Sequence, residues 1–462
     1  SIIFNLSKPS YWIEVVIDFN DFIFSKDENL ISIYLTNINL KKINRNDSKK
    51  TLLYLSDETY KNNVSKKLRP VFLLSFDGIT TEDVLNNSNY LESNKFIREF
   101  SYRNTWFNNA VTSSTVTASS AACLMTGKTL SMHNMYVYSS KYLSPSLKIL
   151  SSNLSTLGEK ARSVGLRSYG LFSFGKWSPQ YGYSRGFTDY KCISGRYKER
   201  YPWFEEIMKY TLFDPNSPLL FMMHHPGGHA PFLPIISASS PDHEYSAYEN
   251  SLHYIDNLFN SIINAIKSCN IYDDSLIIFL SDHGRSLSNY KRTDFQFHED
   301  RLRVPLIIKN PDWDIKSNIP FNTKNHISAQ TFVHETICTF LGIKNNCSDV
   351  NKLRIIDGVN WVSETIDYSS ENSLGIAGYD KNFKYTIYFN VHFDSFTIGK
   401  YRDLYKYPLS HSGIADKNRT TVNDPIEKNR IISSAHHFIQ NGLLFSKNNP
   451  PEEFASRTAM MV

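Results

Sequence analysis

The sequence predicts an α/β protein with a large, mostly parallel central sheet flanked by helices, a small N-terminal β-rich appendage and a smaller C-terminal sheet. Two observations carry that prediction. From residue 70 onward, short apolar runs (PVFLLSF, GLRSYGLFSF, PLLFMMHH, SLIIFLS and RVPLIIK) alternate with helix-length amphipathic stretches. Continuously apolar strands separated by helical patterns mark a parallel sheet covered on both faces. Secondly, four of those five runs lead straight into polar residues capable of chemistry: Asp77, Lys176, the trio His224, His225 and His229, and the pair Asp282 and His283. In open α/β sheets ligands collect at the carboxyl ends of strands, so this recurrence predicts an active site there.

The ends of the chain read differently. Residues 10 to 40 carry SYWIEVVIDFNDFIF and NLISIYLTNINL around the turn-like SKDEN, which reads as short strands. After about residue 375, KYTIYFNVHF and SFTIGKY suggest a terminal sheet. The expected division is therefore an N-terminal appendage over 1–66, a catalytic domain over 67–375 and a C-terminal subdomain over 376–462. A chain of 462 residues, 41% hydrophobic and 14% aromatic, has enough apolar side chain for a sizeable core. Lys and Arg total 50 against 45 Asp and Glu, with no dense basic run, so no nucleic-acid partner is expected and an anionic substrate is mildly favoured. Cys123, Cys192, Cys269, Cys338 and Cys347 are too scattered for a disulfide framework or a zinc cluster. No apolar run is long enough for a membrane helix. The chain begins at Ser1, so the expectation covers a cytoplasmic protein or an extracytoplasmic one whose leader has been removed. Composition bears on neither compartment nor oligomeric state.

SLIIFLSDHGRS places Asp282 and His283 at the exit of a buried strand, where a carboxylate and an imidazole can reach one cation. PVFLLSFDGIT repeats the arrangement at Asp77, followed by a glycine that permits close backbone approach. An Asp-Gly after a strand is usually only a turn, but the pairing of both sites argues for a metal. Hard oxygen with borderline nitrogen suits zinc or manganese, with calcium or magnesium as alternatives. Between Val111 and Lys128, VTSSTVTASSAACLMTGK leads a hydroxyl-rich segment into a helix. A Thr at a helix start is ordinarily an N-cap, yet the same geometry puts amides and the positive helix end beside an alkoxide or anion. HHPGGHAPF makes His229 the first candidate for a second cation or a phosphoryl oxygen, with His225 behind it, and His298 follows Asp282 by sixteen positions.

Taken in order, SFDG, a hydroxyl segment ending in LMTG, FGKW with YSRGF, HAPF, SDHG and RVPLII resemble the alkaline phosphatase superfamily, and its sulfatase-like branch most closely. The resemblance runs from about residue 70 to 360, and includes ISAQTFVHETICTFLGI and IDGVNWV. It implies that Asp77, Asp282 and His283 bind the catalytic metal together with a nucleophile ten residues before Gly127, which is Thr117. Sulfatases have there a cysteine or serine that is oxidised to formylglycine, followed by proline and arginine at positions held here by Ser119 and Ala121. Threonine cannot become formylglycine. It is similar instead to nucleotide phosphodiesterases and to phosphoethanolamine and phosphoglycerol transferases, whose GSHGP-type segment resembles GGHAP and supports His229. A histidine after DHG supports His298, Lys176 matches a residue contacting the transferred group's oxygens, and His133 sits where the nucleophile helix often has a histidine. Two departures stand out: Gly78 replaces a second acidic residue, and His225 replaces an Asp of the nucleotide phosphodiesterases, which also carry a later histidine for which His392 and His411 are candidates. The resulting expectation is a metal-dependent phosphodiesterase or phosphotransferase that forms a phospho-threonine and acts on a phosphorylated small molecule, lipid or glycan. Its rivals are a sulfate-ester or phosphonate hydrolase on the same metal site, and an inactive domain that binds a phospho-glycan or a protein.

Overall fold

A computed structural model describes residues 22–27, 30–35, 68–86, 94–135, 148–173, 175–193, 203–212, 218–229, 232, 241–285, 295–313, 325–343, 354–367, 373–392, 395–410 and 420–453. The chain forms two compact units, Ser1–Lys67 and Leu68–Val462. In the first, Phe22–Asp27 and Leu30–Leu35 pair antiparallel, so the first strand includes Ser25, Lys26 and Asp27 of the segment that reads as turn-like.

The second unit is built on a seven-stranded sheet. Its strands are β1 (Val71–Phe76), β2 (Thr105–Trp106), β3 (Arg167–Ser173), β4 (Asp189–Ile193), β5 (Leu219–His225), β6 (Leu276–Ser281) and β7 (Leu306–Lys309), in the order β2-β7-β6-β1-β5-β3-β4. The neighbours from β6 to β4 all pair in parallel, whereas β7 runs antiparallel to both β6 and β2. Strand side chains alternate between two cores, as a period of two requires. Val71, Leu73, Leu220, Met222, Ile278 and Leu280 enter one, with α2 (Thr117–Thr126), α3 (Leu157–Ser163) and α6 (Ala329–Phe340). Phe72, Leu74, Phe76, Phe221, Met223 and Phe279 enter the other, with α1 (Lys95–Arg103), α4 (Trp203–Leu212) and α5 (Pro241–Ser268). Burial on both faces explains why β1, β5 and β6 are mostly apolar and turn polar only toward their carboxyl ends. Among the described residues no helix is long and apolar enough to cross a membrane.

A second, wholly antiparallel sheet follows in the order β8 (Ile355–Ile356), β9 (Val359–Asp367), β10 (Ser373–Tyr379), β11 (Phe383–His392), β12 (Thr397–Pro408) and β13 (Thr420–Thr421). It starts ahead of residue 376, and a cut after 375 would fall inside β10. Asp357 and Gly358, at φ 50° and 78°, make the two-residue turn that joins β8 to β9, as the Asp-Gly pair favours. One face packs on α7 (Pro425–Asn448), which the residue pattern past 375 did not suggest although Asp424 and Pro425 mark its start. Asp424 accepts the Ile426 amide at 3.0 Å and Pro425 occupies the first helical turn.

The other face holds the turn that follows residue 294. Phe297 and Leu302 pack with Val362, Ala377, Tyr379 and Tyr388. Lys384 Nζ, itself buried, donates to Glu299 Oε1 and to Phe297 O, each at 2.8 Å, and Tyr379 donates its hydroxyl to Glu299 at 3.1 Å. Burial alone would raise the Glu299 pKa, but Lys384 and Arg303 outweigh it and hold the carboxyl below its usual range. Removing one member of a buried pair strands the other charge, at a cost of about 3–5 kcal/mol. Lys384→Met should therefore lower unfolding stability by about that much in urea denaturation at pH 7, and Lys384→Met with Glu299→Gln should recover part of the loss.

Candidate metal centre and nucleophile

Asp77 and Asp282 are the first residues past β1 and β6, where Ser281 pairs in register with Phe76. The Asp77 amide donates to His225 O at 2.9 Å and the Asp282 amide to Phe76 O at 3.2 Å, so both ladders carry on into the site. Both carboxylates are almost fully buried, at 1% and 2% exposure. Their oxygens and a His283 ring nitrogen lie within 4.8 Å of one another. His283 Nδ1 faces Gly284 O at 2.9 Å; a carbonyl only accepts, so Nδ1 carries the hydrogen and Nε2 keeps its lone pair. That nitrogen is 3.8 Å from Asp77 Oδ1 and 3.6 Å from Asp282 Oδ2. Burial lowers the His283 pKa to about 4 against the opposing pull of Asp282, so the ring is neutral at pH 7. Three acceptors converging in a buried pocket fit a divalent cation, and the two-oxygen, one-nitrogen set suits zinc or manganese.

Backbone packing fixes this group. Gly78, at φ 68°, turns the chain so that its amide donates to Asp282 Oδ1 at 3.3 Å, and the His283 amide donates to the same oxygen at 2.8 Å. A Cβ at Gly228 would stand 2.3 Å from Asp77 O, so the 226–229 turn can lie against Asp77 only with glycine there. The Asp282 carbonyl accepts from Ser120 Oγ at 2.9 Å and from Gln330 Nε2 at 2.8 Å, which joins α2 and α6 to the metal loop.

Thr117 opens α2, but the N-cap is Val116, and Thr117 stands inside the first turn. The Thr117 hydroxyl is therefore not spent as a cap; it donates to His283 Nε2 at 3.2 Å. Ser119 Oγ donates to Met135 O at 2.9 Å and Tyr183 to Ala118 O at 2.8 Å, holding the turn from both sides.

With this geometry in place, comparison with known proteins is decisive: residues 71–343, more than half of the chain, match the Sulfatase family. The chain belongs to the Sulfatase family. It is thus a sulfatase-like member of the alkaline phosphatase superfamily. Its fold is similar to that of a phosphonate monoester hydrolase from Silicibacter pomeroyi, at TM-score 0.59 and 12% identity over 83% of this chain and 96% of that one. A 2-O GAG sulfatase is similar at TM-score 0.56 and 15% identity, over 84% and 95% of the two chains. A third structure, solved with D-glucosamine-2-N,6-O-disulfate as its substrate, gives TM-score 0.57 and 13% identity over 83% and 99%. No curated protein sequence matches this one.

In this sulfatase-family chain the remaining sequence candidates separate. His229 lies on the turn against Asp77, its amide donating to Pro226 O at 3.0 Å. His298 caps the short helix Glu299–Leu302, accepting the Asp300 amide at 3.4 Å. Among the described residues neither joins the three-ligand group. Lys176, half-buried with its pKa lowered by burial, precedes Trp177, whose ring lies 5.1 Å from His224. His225 is turned away from the metal group: strand alternation sends it into the opposite core, among Phe76, Trp203 and Tyr254, and burial lowers its pKa to about 3. His133 is likewise an internal anchor, accepting the Met135 amide at 3.0 Å with Nε2 3.3 Å from Cys123 Sγ. His392 ends β11 in the terminal sheet, and His411 lies outside the described residues.

Two site residues escaped the sequence reading, Gln330 and Arg301, and a third, His224, was named among the strand-end residues without a role. His224 Nε2 lies 3.4 Å from Asp282 Oδ2, its Nδ1 3.3 Å from Ser173 Oγ. Counting alternation along β5 from Leu220 and Met222 would have picked His224 over His225. Gln330 and Arg301 carry no local signal, since they reach the site from a helix and a turn distant in sequence.

Calorimetry should detect one divalent cation per chain in the wild type and none in Asp282→Asn. With cation at 100 times its dissociation constant, the wild type should gain about 2.7 kcal/mol of stability that chelation removes. His224→Gln should weaken cation binding roughly 10- to 100-fold, as loss of a group orienting a ligand does.

Proposed function

We propose that this sulfatase-family protein is a metal-dependent phosphodiesterase or phosphotransferase that passes a phosphoryl-type group through a covalent intermediate on Thr117. The observation that carries the reading is the Thr117 hydroxyl, held 3.2 Å from His283 Nε2 at the edge of the metal group and unavailable for formylglycine chemistry. A divalent cation held by Asp77, Asp282 and His283 would lower the pKa of that hydroxyl and offset charge on the phosphoryl oxygens. Thr117 Oγ passes its proton to His229 or His298, with His283 Nε2 reserved for the cation, and attacks phosphorus in line; an O–P bond forms and the bond to the leaving alcohol breaks. The amides of the first turn of α2 and the Lys176 side chain favour the anionic oxygens. His229 and His298 hold oxygens and give a proton to the departing alkoxide. Water or a second alcohol then takes the group from Thr117 and regenerates the hydroxyl. A diester or a head-group donor, on a small molecule, lipid or glycan, suits this sequence.

A second reading, hydrolysis of sulfate esters or phosphonates on the same site, draws support from the similarity to sulfatases and to a phosphonate monoester hydrolase. A binding domain without activity is the weaker rival, because Asp77, Thr117, Asp282 and His283 are all retained around one point.

Rates on aryl phosphodiester, aryl phosphate and aryl sulfate should be highest for the diester, and a preference for sulfate would favour the second reading. Thr117→Ala should lower the best of these rates by a factor on the order of 10³ or more, the scale seen when a nucleophile is removed. Mass spectrometry of protein quenched during turnover should find the transferred group on Thr117; full turnover with an alanine there sinks the mechanism.

A further inference from the structure

Arg301 stands in the short helix Glu299–Leu302 that precedes β7, far in sequence from the Thr117 segment. Its Nε and Nη2 both donate to one acceptor, the carbonyl of Thr115, at 3.3 and 3.1 Å. Thr115 is fully buried and two residues ahead of Thr117. The Val116 carbonyl accepts the Ser120 amide at 2.9 Å, so the first turn of α2 begins directly after the clamped peptide. The Arg301 backbone belongs to the other half of the site. Its carbonyl accepts the Gly284 amide at 2.9 Å, beside the metal-group residue His283, and its amide donates to His298 O at 2.9 Å. The Thr115 hydroxyl adds a brace, 3.1 Å from Gln296 Oε1 and 2.7 Å from Thr365 Oγ1 of β9.

We infer that Arg301 is a positioning residue that fixes the Thr117 oxygen relative to His283, by tying the nucleophile peptide to the metal loop through its own backbone. The inference rests on the reading of Thr117 as nucleophile. A planar guanidinium suits the task because two donors converge on one oxygen, whereas a lysine ammonium offers a single rotatable point. A displacement of about 1 Å in a reacting group costs on the order of 10²-fold in rate, so the clamp acts on turnover more than on binding.

The test uses the full chain loaded with the divalent ion it binds, on whichever of the three aryl substrates the wild type turns over fastest. Arg301→Gln should lower kcat about 10²-fold while KM and the cation dissociation constant each stay within about threefold. Arg301→Lys should keep part of the rate, and free guanidinium should restore part of it to Arg301→Ala. Amide exchange at Ser120 should quicken in Arg301→Gln, a readout that needs no turnover. The inference is overturned if kcat of Arg301→Gln stays within twofold of wild type, if the loss appears in KM alone, or if cation affinity falls in step with kcat. Thr117→Ala measured alongside separates the two claims: an active Thr117→Ala removes the nucleophile, while an inactive one beside a fully active Arg301→Gln removes only the clamp.

Discussion

Two buried carboxylates set side by side by adjacent parallel strands govern this structure. Asp77 and Asp282 follow paired positions of β1 and β6, and the strand register leaves them no room to separate. At about 5 Å and an effective dielectric near 20, two negative charges repel by roughly 3 kcal/mol before any desolvation is counted. The surroundings answer with backbone donors, the amides of Gly78 and His283 on one Asp282 oxygen, while the His224 ring lies 3.4 Å from the other. The close contact at Gly228 and the hydrogen bonds from Ser120 and Gln330 hold the same strand ends. Two buried carboxylates so placed form a group that could hold a cation.

The second sheet takes part in that arrangement. Lys384 and Tyr379 hold Glu299, and Thr365 meets Thr115, so the terminal strands brace the turn carrying His298 and Arg301 as well as the peptide before Thr117. Glu364 of β9 accepts from the Ser131 amide and hydroxyl at 2.5 and 2.8 Å, which secures the segment just past α2. The sheet that the sequence reads as a C-terminal subdomain therefore packs behind the Thr117 segment, and one compact unit covers Leu68 to Val462.

Legibility in the sequence followed how local the cause was. The parallel sheet was readable because burial on both faces writes continuous apolar runs at 71–76, 219–223 and 276–280. Asp77, Asp282 and His283 were readable because each directly follows such a run. His225 was mistaken for a site residue because two adjacent histidines differ only in the face they take, and that parity emerges only when the strand is counted against its neighbours. Helix α7 buries Ile431, Ala435, Phe438, Ile439 and Leu443 at helical spacing, a signal that was passed over with its Asp-Pro start because the strand-like segments before it dominate the region. Arg301 and Gln330 were out of reach, since their roles arise from contacts spanning 186 and 48 residues.

The cap of α2 has a consequence for how such a site changes over time. Val116 takes the N-cap position in an extended conformation and offers no side-chain bond, so the helix begins without help from the residue after it. The Thr117 hydroxyl bonds instead to His283 Nε2. On the proposed reading of Thr117 as nucleophile, a change of the attacking atom, and with it of ester class, would therefore not also cost the helix a capping side chain.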